Sequence, residues 1–327
     1  MQMESSSRTT TTVAETIVIL FMGVVALAAS KTGLAVILFP ELVALSHDVI
    51  NRPQGKWASQ PVRLILTPTA TAIIGLFITR HLDYSVLSVS IIVVLSLIFI
   101  RLTQSAIGPA ISAGVLPLVV GEKSWYYPLA ILADVSLLVA VLILWNRYGL
   151  RCVNPPKKVV EHNRIVEARQ SIPQYRYSSI VLMSFVIVLG SIAQITGLRF
   201  LLFPPIIVMA YEVIGHPVVP DWMKRPKLFP LVCLLTASIG LLAREWIHLT
   251  VPAVMVTTLC SVVLLRLFEV HMPPALAVGM LPFVIRRPDY RYPISVFFGT
   301  IALILFCFGY SRLLQWIRLR KNSMSVS

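Results

Sequence analysis

The chain has 327 residues, of which 57% are hydrophobic and only 13% charged, with a mean hydropathy of +0.83 and a formal net charge of +14. A soluble domain is nearer half apolar and a quarter charged, so these values exclude an ordinary water-soluble domain and point to a polytopic membrane protein. The positive balance would suggest nucleic acid in a soluble chain; here its location ties it to orientation in the bilayer and to anionic lipid.

Residues 1–12 read as a polar, Ser/Thr-rich tail. No basic region stands just ahead of the first apolar run, Thr16–Ser30, so no cleavable signal peptide is read and the first span is expected to be its own targeting signal. LFPELVALSHDVI (38–50) is a short apolar segment with Pro40 near its start and Asp48 near its end, and the basic loop RPQGKW (52–57) follows. Val86–Ile100 is a marginal span followed by Arg101; AIGPAISAGVLPLV (106–119) opens on Gly108-Pro109 and leads to the aromatic boundary WYYP (125–128). Asp134 sits mid-segment between Ile131 and Leu137 and needs a partner that the sequence does not identify. These elements form a first membrane unit, 13–147.

Asn146–Arg176 carries seven basic residues (Arg147, Arg151, Lys157, Lys158, Arg164, Arg169, Arg176) against Glu161 and Glu167. This linker, 148–176, and a tail, 313–327, with Arg318, Arg320 and Lys321 just beyond Arg312, are expected on the cytoplasmic side, because basic residues near span ends stay there. Between them a second unit, 177–312, runs through Ser178–Leu198, LFPPIIVMAYEVI (202–214), the basic MKRPK (223–227), Leu228–Ala243 and Ile247–Leu265. It continues through HMPPALAVGMLPFV (271–284), RRPDYR (286–291) and Tyr292–Ser311. Three of these stretches, of 19 to 21 uncharged residues, reach spanning length.

The two units are one pattern written twice, at an offset of 164 to 165 residues. Phe39, Pro40 and Asp48 lie over Phe203, Pro204 and Glu212. One residue of slippage later, Trp57, Pro61, Gly75 and Arg101 lie over Trp222, Pro226, Gly240 and Arg266. Pro109, Ala110, Gly114, Leu116, Pro117 and Val119 recur as Pro274, Ala275, Gly279, Leu281, Pro282 and Val284. The fold expected is therefore an all-α polytopic membrane protein of two tandem, pseudo-twofold related repeats. Each has about six apolar segments, of which the second and fifth are too short to cross roughly 30 Å of hydrocarbon unaided. With linker and tail both cytoplasmic, each repeat crosses an even number of times and the halves are parallel. RRPDYR resists a strict six-span count by falling on the outer side.

The short segments are the candidate sites. A proline pair fits the first turn of a helix, so Pro273 and Pro274 open a short helix next to His271, and Gly108 and Pro109 open its counterpart near Ser105 and Ser112. Helix starts attract anions through free N–H groups; the amides of Ala275, Leu276 and Ala110 to Ser112 are those expected to be usable. Packing alone explains such prolines too, and both readings stand. Arg266 and Glu269, three apart, can pair; Arg101 keeps the cation without the acid, as suits an anion path, unless both arginines snorkel to the interface. Asp48 and Glu212 are expected to meet the basic loops that follow them.

No phosphate loop, dinucleotide fingerprint, nucleophile elbow or metal motif is present, and no cofactor is expected. Cys152, Cys233, Cys260 and Cys307 show no paired spacing, and three lie in apolar segments where a small core role suffices.

The second unit, with GHPVVPDWMKRP, then LFPLVCLLTASIGLLA, then a long apolar helix ending in VHMPPA, resembles the HPP family of integral membrane proteins; the first offers SQPVR (59–63) and IGPA (107–110). Met272 interrupts the triplet and the first unit has no histidine there, so the chain resembles a fused, diverged dimer. The resemblance implies transport, since some members are associated with nitrite. The function expected is a transporter or channel for a small anion, with membrane lipid and a small inorganic anion as partners, a homo-oligomer left open, and no nucleic acid. The alternatives are a membrane enzyme on a lipid-linked or amphiphilic substrate, with Asp48, Glu212 and His216 as its acid/base candidates, and a non-catalytic scaffold docking through its basic linker.

Overall fold

The computed structural model describes residues 2–149, 178–215, 223 and 225–324, so most of the basic linker and His216 lie outside the described residues. Among the described residues the chain is helical, with no strand. The α-helices are α1 (Gln2–Thr32), α2 (Glu41–Asn51), α3 (Pro61–His81), α4 (Val86–Leu102), α5 (Ala110–Val120) and α6 (Tyr126–Leu144). They are followed by α7 (Ser178–Thr196), α8 (Pro204–Gly215), α9 (Leu228–Trp246), α10 (Thr250–Leu267), α11 (Pro273–Met280) and α12 (Arg291–Met324).

Among the described residues, seven stretches are long and apolar enough to cross a membrane: Thr11–Thr32, Pro61–His81, Tyr126–Tyr148, Ser178–Thr196, Leu228–Trp246, Thr250–Leu267 and Arg291–Arg312. The protein is a multi-pass membrane protein. Helix α4, with 17 residues, falls just short of that length. Four helices are clearly short: α2 and α5 have 11 residues, α8 has 12 and α11 has 8 before a 3-10 turn at Leu281–Phe283. At 1.5 Å per residue, 11 residues rise about 16 Å, roughly half the hydrocarbon core.

The ends of the chain differ from expectation. The tail placed at 1–12 continues α1 back to Gln2, and the one placed at 313–327 continues α12 to Met324. Neither stretch contains a proline or glycine, so nothing in it interrupts a helix already nucleated by the membrane run.

Side-chain bonds at helix ends fix the directions. Arg63, at the start of α3, donates to the carbonyl of Gln104 ahead of α5, and Arg80, near the end of α3, donates to that of Lys123 beyond α5. So α3 and α5 run the same way, with α4 antiparallel between them. Arg225 and Arg244 make the equivalent bonds to Phe268 and to Pro282 and Ile285, aligning α9 with α11. The starts of α1 and α7 meet the ends of α10 and α4, through Glu15–Arg266 and Arg101–Ser179. Both halves therefore begin on one face, here called face A, and the segments alternate in direction. The loop 52–60 lies on face A with the break after α4, to which Trp57 donates. The loop 286–291 lies on the opposite face B, where Arg244 reaches the carbonyl of Arg286.

Helices α3 and α9 are the hubs, packing against α4, α5 and α6 and against α10, α11 and α12. The closest approaches are glycine on glycine: a Cβ on Gly75 would overlap the carbonyl oxygen of Gly114, and one on Gly240 that of Gly279. Small residues let membrane helices come within backbone contact, where dispersion and weak polar contacts hold them. The hydroxyls of Tyr127 and Tyr292 each donate at 2.6 Å to the carbonyls of Ala113 and Val278. Each of these contacts in the first half recurs 165 positions later in the second.

Packing between the halves is reciprocal. Helix α1 lies on α10 and α7 on α4, while the short α2 lies on α11 and the short α8 on α5. The outer faces of the long helices expose Val62, Phe77, Leu87, Ile195 and Phe298, as hydrocarbon requires. Trp125, Tyr126, Trp246 and Tyr290 are exposed at face B, an aromatic belt at interfacial depth.

Candidate functional site

The site grows from two helix breaks. Helix α4 ends with Gln104 at φ 48° and α10 with Glu269 at φ 51°, both non-glycine residues in the left-handed region. In each case the next amide reaches back to close the helix: Ser105 N–H to Ile100 O at 2.9 Å, Val270 N–H to Leu265 O at 3.0 Å. This is the Schellman closure usually made with glycine; a residue with a Cβ costs on the order of 1 kcal/mol there. The chain then leaves the helix and re-enters one at Ala110 or Pro273.

The first break is braced from its own half. Trp57 Nε1 donates to Ala106 O at 3.0 Å, Ala106 N–H to Gln60 Oε1 at 3.2 Å, and Thr67 Oγ1 to Ser105 Oγ at 2.9 Å. Ser105 is thus buried scaffold. Gly108 and Pro109 are buried as well, and a Cβ on Gly108 would stand 3.3 Å from the ring of Tyr211 on α8. Three of the helix-start amides expected to be free are taken. Those of Ala110 and Ile111 go to the carbonyls of Ile107 and Gly108 at 3.3 and 3.0 Å, and that of Ala275 goes to Met272 O at 3.0 Å. A tight turn before each helix supplies acceptors that a sequence of prolines and glycines does not announce.

The second break carries titratable groups instead. Helix α2 of the first half lies on α11, whose Pro273 and Pro274 are buried, and its end brings in His47, Asp48 and Arg52. His271 Nε2 stands 3.3 Å from Asp48 Oδ1, and the His47 and His271 ring centroids are 6.0 Å apart. Arg52 Nη1 is 4.0 Å from the same carboxylate oxygen, one helical turn along. His47 Nδ1 is buried without a hydrogen-bond partner among the described residues. Asp48 is almost fully buried while His271 is about a third exposed, so the cluster reaches the surface on face A through His271 and Arg52. Close by in the chain, Lys56 pairs with Glu212 of α8 at 3.5 Å and lies over the Trp57 ring. Asp48 meets the basic loop at 52–57 that follows it, as the sequence suggests, and Glu212 reaches that same loop from the other half.

Deeper in, Glu41 at the start of α2 is fully buried against Ser112 of α5, whose hydroxyl donates to Glu41 Oε1; Oε2 has no partner among the described residues. A lone buried carboxylate is costly in such surroundings and marks a place for function. Asp134 on α6 is likewise buried, and its Oδ2 has no partner among the described residues.

The arginines sit elsewhere. Arg266 bonds Glu15 of α1, Nε to Oε1 at 2.7 Å and Nη2 to Oε2 at 2.5 Å, a two-pronged pair; Glu269 is exposed and is not its partner. Arg101 donates to Ser179 Oγ of α7 at 2.7 Å. Both are exposed at the seams between halves rather than aimed at the helix starts, because the left-handed turn that follows each carries the chain inward while the arginine stays outside. Glu15, Glu41 and His47 join these sites without a motif or spacing in the sequence that marks them. Glu41 has a signal only in the duplication: it stands over Pro205 in the duplicated pattern, a charge where the other half has none.

Cys233, Cys260 and Cys307 are free, and no group of three or more metal-ligating side chains occurs among the described residues. Comparison with family models, with curated proteins and with solved structures finds no match to this chain.

Proposed function

We propose that this protein is a membrane transporter or channel for a small anion, with nitrite the named candidate, built from two copies of one six-helix unit and related to the HPP family. The recurrence of the Gly75–Gly114 and Tyr127–Ala113 contacts at Gly240–Gly279 and Tyr292–Val278 supports the duplication. So does reciprocal packing of each half's first two helices on the other half. Face A, with Arg52, Arg63, Arg225 and the basic tail, is the cytoplasmic one.

One observation carries the functional reading: a half-exposed cluster of Asp48, His271, His47 and Arg52 lies where one half's short helix closes on the other half's helix break. Broken helices at membrane depth are where transporters place their sites, since irregular backbone there must line a cavity or be buried in protein. With the amides of Ala110, Ile111 and Ala275 occupied, Arg52 and the His271 ring supply the donors, and Asp48 holds His271 in place until an anion competes for it. Uptake of nitrite into proteoliposomes, compared between wild type and His271→Ala, tests this. Loss of saturable uptake in the variant supports the site, and equal uptake rejects it.

A membrane enzyme is the second reading, favoured by the same cluster, which gathers a carboxylate and two imidazoles at one membrane face as acid/base chemistry requires. Vesicles that pass no anion, together with a lipid-like substrate whose turnover needs His271, would favour it.

A further inference from the structure

The two seams end differently at face B. Where α7 meets α3 to α5, Arg199 fills the space: Nη2 donates to Leu118 O at 3.1 Å, and the guanidinium stands 4.2 Å from the Tyr84 ring centroid. At the other seam the backbone runs the same way. Gly33 and Gly197 both turn left-handed, at φ 71° and 69°, and Leu34 and Leu198 N–H both donate to the preceding threonine hydroxyl at 3.4 Å. Only the side chains differ. Ala35 stands where the pattern puts Arg199, and Leu249 where it puts Tyr84.

The missing plug leaves a cleft of about 390 Å³ lined by Ser30, Ala35, Arg244, His248, Thr250 and Phe283 among others. Arg244 donates through Nη1 to the carbonyls of Pro282 and Ile285 and through Nη2 to that of Arg286 at 3.5 Å. These acceptors lock the guanidinium but do not neutralise it, and among the described residues no carboxylate lies within ion-pair distance of it. Its Nε–H and remaining Nη2–H have no acceptor among the described residues, and that edge is the fork that oxyanions accept in two-pronged fashion. Lys31, Arg286 and Arg287 lie close by in the chain, against Glu245. Trp246 and Leu249 are exposed beside the cleft, at the depth of lipid headgroups.

We infer that this cleft binds a phosphate-type oxyanion through Arg244, met either as a free ion or as the headgroup of an acidic phospholipid. The inference does not depend on the reading of face A. The test uses the full chain in phosphatidylcholine nanodiscs. One arm adds phosphatidylglycerol and counts retained lipid by native mass spectrometry; the other titrates inorganic phosphate and follows thermal melting. Ala35→Arg restores the plug of the other seam, and Ala35→Phe fills the cleft without adding charge. Both are expected to weaken binding by about tenfold while melting at the wild-type temperature in phosphatidylcholine alone. Retention of phosphatidylglycerol without a phosphate response assigns the headgroup; a response to both assigns the oxyanion itself. Binding in neither arm, or binding unchanged in both variants, overturns the inference. Arg244→Gln should also abolish binding, and the Ala35 variants decide the matter if it does not fold.

Discussion

His271 Nε2 stands 3.3 Å from Asp48 Oδ1, a contact between residues 223 positions apart that ties the second half's helix break to the first half's short helix. Replacing His271 by Ala leaves the buried Asp48 with the more distant Arg52, at a cost of roughly 1–3 kcal/mol. A lower melting temperature in detergent should show it. His271→Gln, which can still donate to Asp48, should recover most of that stability. It should not recover the proposed uptake, because a side-chain amide lacks the second ring nitrogen with which His271 can meet an anion while it holds Asp48.

The glycine pairs make a sharper structural prediction. Gly75→Ala and Gly240→Ala each drive a methyl into backbone, so each should destabilise by about 3 kcal/mol or more and reduce folded yield in size-exclusion profiles. Gly309→Ala, with open space around it, should stay within about 0.5 kcal/mol of wild type. Equal behaviour of the three variants would contradict the close crossing.

The seams differ in charge, and the difference can be moved. Arg266 pairs with Glu15, whereas Arg101 meets Ser179, which occupies the position matched to Glu15. Ser179→Glu should copy the pair into the other seam and raise stability by up to about 0.5 kcal/mol, read as a small rise in melting temperature, since half-exposed ion pairs contribute little. Arg266→Ala should destabilise more than Arg101→Ala, because it strands the mostly buried Glu15.

The buried Glu41–Ser112 bond predicts a non-additive pair. Ser112→Ala leaves both carboxylate oxygens of Glu41 without a side-chain partner and should cost about 1–3 kcal/mol. Adding Glu41→Leu should restore most of the loss, since removing both members of a buried polar pair is nearly neutral. A thermal-melt double-mutant cycle measures this directly.

Composition and hydropathy made the membrane class legible, and the lengths of the apolar runs showed which segments are long and which short. Proline and glycine mark helix starts reliably, so Pro109, Pro273 and Pro274 stand where expected. The left-handed residues were hidden, because Gln104 and Glu269 lack the glycine that signals such a turn. The partners of charged groups were hidden for a different reason. Helix spacing suggested Arg266 with Glu269, but the helix ends between them, and the carboxylate comes from α1, more than two hundred residues away. Reciprocal packing of the two halves decides such contacts, and no local pattern encodes it.

Whether the cross-half cluster is the way in for a small anion is measured most directly by nitrite uptake into proteoliposomes by wild type, Asp48→Asn and His271→Ala. Saturable uptake in the wild type, reduced about tenfold or more in both variants while each still folds, is the predicted result. Uptake absent from the wild type, or identical in all three proteins, would contradict it.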